Sequence, residues 1–289
     1  VLLAATQHWQ GHLHASVESL EEARQLFVDI NDEWGQLRAI VPLARGLQAI
    51  GQRESAELLV HDAEVIVAEY PSTSPEKVMP AILGTELAIQ RGDGSGALEL
   101  LERLSPQWKA ELESATPGGA ESVVNQAIAL AMVGRPAEGV PLLKAAVSQV
   151  HDVGPAANLL SAYALVLAAS GDIDGARTQA ERVAALDGGT YLDHTTGHLA
   201  AACAAAAAGD ADAALAALDA ADQRVSSTDD DLTKAVTQLA RGRVLEALGS
   251  ASAADVLAVA RTALAELDVT ADGWDTVFRH AVASTPAPA

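Results

Sequence analysis

Seven glycines recur along this chain at intervals of 37 to 42 residues, and this period constrains the possible folds more than any other feature. The glycines are Gly11, Gly51, Gly92, Gly134, Gly171, Gly209 and Gly249. A small residue stands seven positions before each glycine, and another stands five positions after it. Self-similarity at a period of this size is typical of stacked repeats, in which each unit contacts its neighbours. The spacing therefore predicts an elongated repeat array.

Each repeat is predicted to be a helix, a tight turn and a second helix. Glycine adopts the positive φ that closes a helix, and the small residues mark places where two helices approach closely. The segment 97–104 has alanine and leucine at i, i+3, i+4 and i+7, which is the spacing of one helix face. A single helix pair cannot bury such a face, so neighbouring pairs must share a core. We therefore predict an all-α fold, an α-solenoid of about seven helix-turn-helix repeats with a capping helix over 272–283.

The repeats predict a single domain over residues 1–289, because a solenoid grows by adding units. The segment 105–122 is the least regular part of the chain and includes Thr116-Pro117-Gly118-Gly119, so we expect a loop and a soft joint there. Residues 284–289 are predicted to fray. Val1 falls in the middle of the predicted first helix. We therefore expect the chain to be a fragment of a longer polypeptide.

Composition and charge exclude several classes of function. The formal net charge of −21 comes from 18 basic and 39 acidic residues spread along the chain, and such a field repels phosphate backbones. We therefore expect no direct nucleic-acid binding. Cys203 is the one cysteine, so no intramolecular disulfide can form and a reducing, cytoplasmic location is predicted. The apolar run 199–208 is too short to span a membrane, and no membrane partner is expected.

The sequence lacks the motifs of common catalytic and cofactor sites. It contains no phosphate-binding loop, no His-Glu-x-x-His, no Cys-x-x-Cys and no Gly-x-Ser-x-Gly. His8 and His12 have the i, i+4 spacing of paired metal ligands, but no carboxylate or thiolate accompanies them at ligand spacing. His194 and His198 share that spacing at a predicted helix start. We interpret both pairs as surface histidines, and predict no enzyme activity, no metal and no cofactor.

The small, glycine, small triplet resembles the tetratricopeptide repeats across essentially the whole chain. Three repeats also carry a Gly-Asp turn, at 92–93, 171–172 and 209–210. The period near 40 exceeds the usual 34 or so, and the large aromatic residues of the first helix are mostly missing. The segment 20–27, followed by Asp32-Glu33-Trp34-Gly35, resembles the repeats of LuxR-type, maltose-regulator-like and antibiotic-regulatory transcription activators. This resemblance implies a cytoplasmic repeat region of a bacterial signalling or transcription regulator.

The resemblance also implies which residues line a concave groove. In tetratricopeptide arrays the groove positions lie 13, 10, 6 and 3 residues before each turn glycine. Transferred to this chain, they include the candidate ligand-binding residues Arg38, Arg45, Gln48, Glu86, Asn158, Ser161 and Arg243. Arg38 and Arg45 can hold a carboxylate by charge-assisted hydrogen bonds. In so acidic a chain, pairing of these arginines with Glu86 or other acids of the next repeat is an equal alternative.

Three functions are compatible with these features. The favoured one is a non-catalytic protein-interaction or effector-sensing domain, whose groove binds a peptide, a helix or another domain of the same polypeptide. The alternative is a small-molecule effector receptor, which a closed pocket lined by Tyr163, Asn158 and arginines would favour over an open trough. A further alternative is the repeat arm of an ATPase or nucleotide cyclase whose catalytic domain lies outside this chain.

Overall fold

The computed structural model describes residues 1–71, 74–104, 117–150 and 153–283. Within these ranges the chain forms fifteen α-helices and one short 3-10 helix, Pro75–Val78, and no strand. The first eight helices are α1 Leu2–Trp9, α2 Leu13–Asp29, α3 Glu33–Ala49, α4 Arg53–Ala68, α5 Met79–Gln90, α6 Gly94–Glu102, α7 Pro117–Met132 and α8 Pro136–Gln149. The remaining seven are α9 Val153–Ser170, α10 Ile173–Ala184, α11 Tyr191–Ala207, α12 Ala211–Ser226, α13 Asp231–Ala247, α14 Ala253–Glu266 and α15 Ala271–Ala281.

The helices form seven consecutive pairs, from α1 with α2 to α13 with α14, and α15 follows the last pair. The two helices of each pair pack against each other, and the first helix of a pair also packs on the pairs beside it. The prediction of an all-α repeat array with a C-terminal helix is confirmed. In one of the seven repeats, the small residue five positions after the glycine is not the buried one. The buried residue in α14 is Ala253 and not Ala254.

Each turn within a pair contains a glycine, and three of the seven turns add an aspartate. All seven repeat glycines have positive φ, between +70° and +86°, as helix closure by glycine predicts. In three turns the next residue caps the following helix: Asp93 accepts a hydrogen bond from the backbone N–H of Gly96, Asp172 from that of Gly175, and Asp210 from that of Ala213. The Gly-Asp pairs are therefore a C-terminal stop followed by an N-terminal cap.

The predicted loop at 116–119 is wrong over residues 117–119. Helix α7 begins at Pro117, so these residues form its first turn. Proline is tolerated there because its missing N–H has no helical partner at that position. Thr116 and the segment 105–116, most of the predicted soft joint, lie outside the described residues, as does the predicted frayed tail 284–289.

Helix α15 lies on the concave side of the array and does more than cover its end. It packs against α7, α9, α11 and α13, the first helices of four successive repeats. Its buried side chains include Val277 and Phe278, neither of which has any exposed surface. The Arg243 guanidinium on α13 holds the Asp275 carboxylate on α15 through two hydrogen bonds of 2.7 and 2.5 Å. The groove in this part of the chain therefore contains the chain's own helix.

The C-terminal segments also contact the turns of the first three repeats. Asp229 donates its backbone N–H to the Gly11 carbonyl at 2.9 Å, and its carboxylate accepts from the backbone of Leu13 and His14. Thr270 donates its backbone N–H and its hydroxyl to the carbonyl of Arg91, both at 3.0 Å. These contacts join residues about 180 to 220 positions apart. They close the two ends of the array around a central space.

Candidate ligand-binding site

A cavity of about 250 Å³ lies in this central space. Its wall comes from the first helices of all seven repeats together with α15. One water occupies about 30 Å³ in the liquid, so the cavity is large enough for a small organic molecule. The apolar wall residues are Ala49, Ile89, Val124, Ile128, Ala162, Leu165, Leu192, Leu199, Leu232, Val236, Trp274 and Phe278. The polar ones are His8, Arg45, Gln90, Asn125, Asn158, Ser161, Tyr191, Asp193, Thr195, Thr196, Asp230 and Thr233.

Arg45 on α3 is the one lysine or arginine of the described wall, and two carboxylates hold it. Glu86 on α5 accepts two hydrogen bonds of 2.6 Å from Arg45, and Glu121 on α7 accepts a third at 2.5 Å. Burial raises the pKa of Glu86, and so does the charge of Glu121, which shares the same guanidinium. The positive charge of Arg45 acts in the opposite direction, and the net shift is upward. Because all three groups come from different repeats, this cluster fixes the relative positions of the second, third and fourth repeats.

Asp193 and Asp230 line the opposite part of the wall, and both serve as helix caps. In the capping box of α11, Asp193 accepts from the backbone N–H and the hydroxyl of Thr190, at 2.7 and 3.0 Å. Asp230 accepts from the backbone N–H of Thr233 at 2.8 Å, from its hydroxyl at 2.6 Å and from the Tyr191 hydroxyl at 2.5 Å. Burial raises the pKa of both carboxyl groups and that of Tyr191.

Four polar atoms on the cavity wall have no hydrogen-bond partner among the described residues. They are Nδ1 of His8, Oε1 of Gln90, Nδ2 of Asn125 and Nε1 of Trp274. Asn125 is only 8% exposed, so its free donor is buried inside the fold. An unpaired buried polar group costs about 1–3 kcal/mol, and these four atoms are covered by neighbouring atoms beneath the surface of the cavity.

His8 is neutral at physiological pH. Burial, to which the positive charge of Arg45 adds, lowers the pKa of His8 to about 4. Its Nδ1 is therefore a donor or an acceptor according to the tautomer, and carries no net charge. The interpretation of His8 as an exposed surface histidine is wrong, because the closure of the array covers it.

The aromatic part of the wall belongs to α15. The rings of Trp274 and Phe278 stack with their centroids 6.3 Å apart at an interplanar angle of 21°. The two residues are one helical turn apart, so both face the cavity from the same side of α15. Docking of α15 therefore places two aromatic side chains on this side of the cavity.

The sequence-predicted site residues are divided between the cavity and other places. Arg45, Asn158 and Ser161 line the cavity, and Glu86 pairs with Arg45 as the sequence alternative expected. Asn158 lies 3.5 Å from Asp193. Ser161 donates to the carbonyl of Asn158 at 2.9 Å.

The other predicted residues do not line the cavity. Arg38 is exposed and stacks on Trp34, with 4.7 Å between its guanidinium carbon and the ring centroid. Gln48 is fully buried, and neither polar atom of its side chain has a partner among the described residues. Arg243 binds Asp275 of α15. Tyr163 is also absent from the cavity wall, so the pocket expected for a small-molecule receptor contains Asn158 and an arginine as predicted but not the tyrosine.

Several wall residues are not among the site residues that the sequence predicted. His8 stands three residues before its glycine, which is a groove position, but was interpreted as a surface histidine. Asn125 and Gln90 lie one residue beside groove positions of their repeats. Trp274 was predicted only as part of a cap. The relevant signal was the polarity of Asn125 and Gln90 within first helices that are otherwise mostly apolar.

No group of three or more His, Cys, Asp or Glu side chains that can hold a metal is found among the described residues. His194 donates its Nε2–H to the Gly188 carbonyl at 3.1 Å. Cys203 is fully buried, and burial raises the pKa of its thiol to about 12. In the part of the chain that the structure describes, no helix has the length and apolar character needed to cross a membrane.

The comparisons with known proteins bear on the fold. No protein-family model matches this chain, and no curated protein matches it. Among solved structures it is similar to the crystal structure of BtubC (BKLC) from P. vanneervenii, with a TM-score of 0.54 and 21% sequence identity. The similarity covers 74% of this chain and 90% of that chain. At this identity it shows a shared helical fold and carries no function from one protein to the other.

Proposed function

We propose that this chain is a non-catalytic receptor domain that binds a small-molecule effector in the cavity closed by α15, within a bacterial signalling or transcription regulator. The observation that carries the proposal is a cavity of about 250 Å³ whose wall joins the first helices of all seven repeats to α15. A ligand that reaches Trp274 and Phe278 contacts α15 and the repeats together. Its binding energy therefore favours the closed array, which is how an effector would shift the conformation of a regulator.

The test is recovery of a small molecule from a metabolite extract. The protein is incubated with the low-molecular-weight fraction of a bacterial extract, separated by gel filtration, denatured, and its released compounds are identified by mass spectrometry. Two variants accompany it. Asn125→Leu removes the buried donor on the cavity wall, and Gln48→Leu removes a buried amide that does not line the cavity.

We expect wild type and Gln48→Leu to retain the same compound and Asn125→Leu to retain at least about tenfold less, the ratio that corresponds to 1.4 kcal/mol of binding free energy. Retention that is equal in all three proteins would place the compound outside the cavity. Absence of any retained compound from extracts of cells grown under varied conditions would contradict the proposal.

A peptide or helix in the groove is less well supported, because α15 already lies there. Protein contact is supported elsewhere, since nine of the eleven large apolar side chains that are exposed in the described ranges lie within residues 2–65. They are Leu2, Leu3, Trp9, Leu26, Val28, Ile30, Trp34, Leu58 and Val65. Exposed apolar side chains concentrated in one region are typical of an interaction surface. The first two repeats are thus our second candidate site, for another domain of the same polypeptide.

Amide hydrogen exchange tests this second candidate. The exchange of residues 2–65 is compared between this chain and the intact gene product. Slower exchange on the outer helix faces of the intact protein is expected for a docking surface. Equal exchange would exclude it.

A further inference from the structure

We propose that the array opens at the contacts between its two ends, by bending at the end of α5, and that a ligand enters the cavity through this opening. The role in ligand entry rests on the proposed function, whereas the opening itself does not. Two features carry it: the apolar core is divided in two, and the contacts that join the two parts away from α5 are mostly polar.

The buried apolar side chains of the described residues form two separate clusters. The first runs from Ala4 to Leu87 and the second from Ala88 to Ala281, so the boundary falls near the end of α5. We call residues 2–87 the N-terminal body and residues 88–281 the C-terminal body. In a stacked array each repeat contacts its neighbours, so bending at one boundary leaves the packing on either side of it intact. The end of α5 is therefore the hinge.

The first contact between the bodies joins the turn of the first repeat to the start of the seventh. Asp229 gives its backbone N–H to the Gly11 carbonyl at 2.9 Å, and its carboxylate accepts from the backbone of Leu13 and His14. The side chain of Thr228 lies beside Gly11. When this contact opens, water replaces the partners of the hydrogen bonds, so their net contribution to closure is small.

Two further contacts between the bodies are ion pairs. At the turn of the second repeat Arg53 pairs with Asp268, and these side chains are 35% and 72% exposed. Leu267 packs on the turn glycine beside this pair. Arg45 binds Glu121 of α7 at 2.5 Å, and the Glu121 side chain is 40% exposed. Ion pairs that are open to water contribute little to stability, because solvent and salt screen them.

The net charges of the two bodies oppose closure. Residues 1–87 carry 5 basic and 13 acidic side chains, a formal charge of −8, and residues 88–289 carry 13 and 26, a formal charge of −13. Two bodies of like charge repel each other. The polar contacts must therefore hold the array closed against this repulsion.

The cavity lies between the two bodies. His8, Arg45 and Ala49 belong to the N-terminal body, whereas Trp274 and Phe278 on α15 belong to the C-terminal body. The contact of Thr270 with Arg91 joins residues beside the hinge, so it does not have to break when the array opens. Bending at α5 therefore separates two parts of the wall, and a ligand that contacts both parts favours the closed array.

The test measures a distance across the first contact in solution. Nitroxide labels are attached at Glu18→Cys and Gln223→Cys, two exposed positions in different bodies, in a Cys203→Ala background that removes the chain's own cysteine. A second pair, Glu18→Cys with Glu54→Cys, lies within the N-terminal body and reports whether that body stays rigid. Double electron–electron resonance gives the distribution of distances for each pair.

The seam variant is Asp229→Ala with Asp268→Ala, which removes contacts at two turns. Asp219→Ala is its matched control, because Asp219 pairs with Arg241 inside the C-terminal body. We expect wild type to show a minor population at longer distance across the first contact. The ratio of open to closed protein should rise at least about fivefold in the seam variant, the change that about 1 kcal/mol produces, and stay unchanged in the control. The distance within the N-terminal body should be the same in all three proteins.

Amide hydrogen exchange of the unaltered chain is a second measurement that needs no variant. The N–H groups of Leu13, His14 and Asp229 bond across the first contact. Opening exposes them without unfolding either body, so they should exchange at least about tenfold faster than amides in the middle of α3 and α11.

Three results would decide against the opening or the hinge. A single closed distance in the seam variant, or exchange of the three amides as slow as that of α3 and α11, would show that the array stays closed. Broadening of the distance within the N-terminal body would show that this body is not rigid, and would exclude α5 as the hinge. An array that opens while the extract experiment recovers no compound would contradict the proposed function alone.

Discussion

At the residue scale, some buried polar side chains belong to the cavity wall and others are enclosed by the fold. Asn125 is a residue of the cavity wall, whereas Gln48 is enclosed by the fold away from the cavity, and its amide has no partner among the described residues. Sequence position could not separate the two, because both stand on first helices within the predicted groove region. Their difference lies in which side of the helix the neighbouring repeats cover.

Replacing Gln48 by leucine should stabilise the protein. Removing the unpaired amide relieves the cost of its desolvation, and leucine fills a similar volume, so we expect the free energy of unfolding to rise by about 1 kcal/mol. Urea denaturation followed by circular dichroism measures this change. Gln48→Ala is the comparison, since it removes the same amide but leaves a cavity, and it should not gain stability. A lower urea midpoint for Gln48→Leu would contradict the prediction.

His8 should make the protein less stable as the pH falls. Its folded pKa of about 4 lies below the unfolded value of 6.5, so its contribution is complete above pH 6.5 and is lost as the pH falls toward 4. Glu86, with a raised pKa, acts with the opposite sign: its contribution is lost as the pH rises. We therefore compare wild type with His8→Gln, in which Glu86 is unchanged.

The free energy of unfolding of wild type, measured relative to that of His8→Gln, should fall by on the order of 2 kcal/mol between pH 7 and pH 4. Urea denaturation at several pH values gives this difference. Nuclear magnetic resonance of the His8 ring gives its pKa directly. A difference that stays constant with pH, or a His8 that titrates near 6.5, would disprove the burial of this imidazole.

At the element scale, local sequence predicts the helix pairs, but it does not predict the N-terminal cap of α2. The glycine and aspartate of a turn are adjacent in the chain, so the sequence predicts them well. Helix α2 has no side-chain cap from its own N-cap residue, His12. Asp229, at the start of the seventh repeat, instead accepts from the backbone N–H groups of Leu13 and His14. Only the tertiary fold brings this carboxylate to the helix.

Asp229→Ala should therefore destabilise α2 from a distance. It leaves two N–H groups of the first turn unpaired and removes a negative charge from the helix N-terminus, which together cost about 1–2 kcal/mol. Amide exchange at Leu13 and His14 should accelerate, as seen by nuclear magnetic resonance. Asp229→Asn keeps an acceptor and should lose less. Exchange at these two amides that is unchanged in Asp229→Ala would rule out the cap.

At the scale of the whole molecule, the array is closed by backbone contacts that leave no room for a side chain. Gly92 has a φ of +78°, and an ideal Cβ on it would lie 2.1 Å from the carbonyl oxygen of Thr270. Gly209 has nearly the same φ, +79°, but no atom lies within 4 Å of its ideal Cβ. Both glycines therefore have a left-handed backbone, but only Gly92 packs against the segment that closes the array.

Alanine at these two positions separates turn strain from closure. Gly209→Ala should cost about 1 kcal/mol for the left-handed backbone alone. Gly92→Ala adds a clash with the segment before α15, and we expect a further loss of about 2 kcal/mol, with weaker docking of α15. Urea denaturation measures the loss of stability, and the indole N–H resonance of Trp274, assigned with Trp274→Phe, reports the docking of α15. Equal losses in the two variants would show that closure does not depend on this contact.

The sequence by itself determined the helix pairs, their number and their turns, because these depend on residues close together in the chain. It also predicted that Arg45 pairs with Glu86 as one alternative, since adjacent repeats hold these residues at equivalent positions. The resemblance to tetratricopeptide repeats and to LuxR-type regulators stays a prediction. The path of the cavity through the array could not be predicted, and nor could the position of α15 within it.

The physical reason is that small rotations between repeats accumulate along the array. The wall residues lie 3 residues before the glycine in the first repeat (His8), 6 to 10 before it in the fourth (124–128) and 13 to 19 before it in the seventh (230–236). A groove transferred at constant offsets from each glycine therefore places only one to three residues of each repeat on the wall. Closure likewise depends on contacts across about 200 residues, such as that of Asp229 with Gly11, which local sequence does not encode. The sequence determined the repeat, and the tertiary structure decided where seven of them surround a cavity.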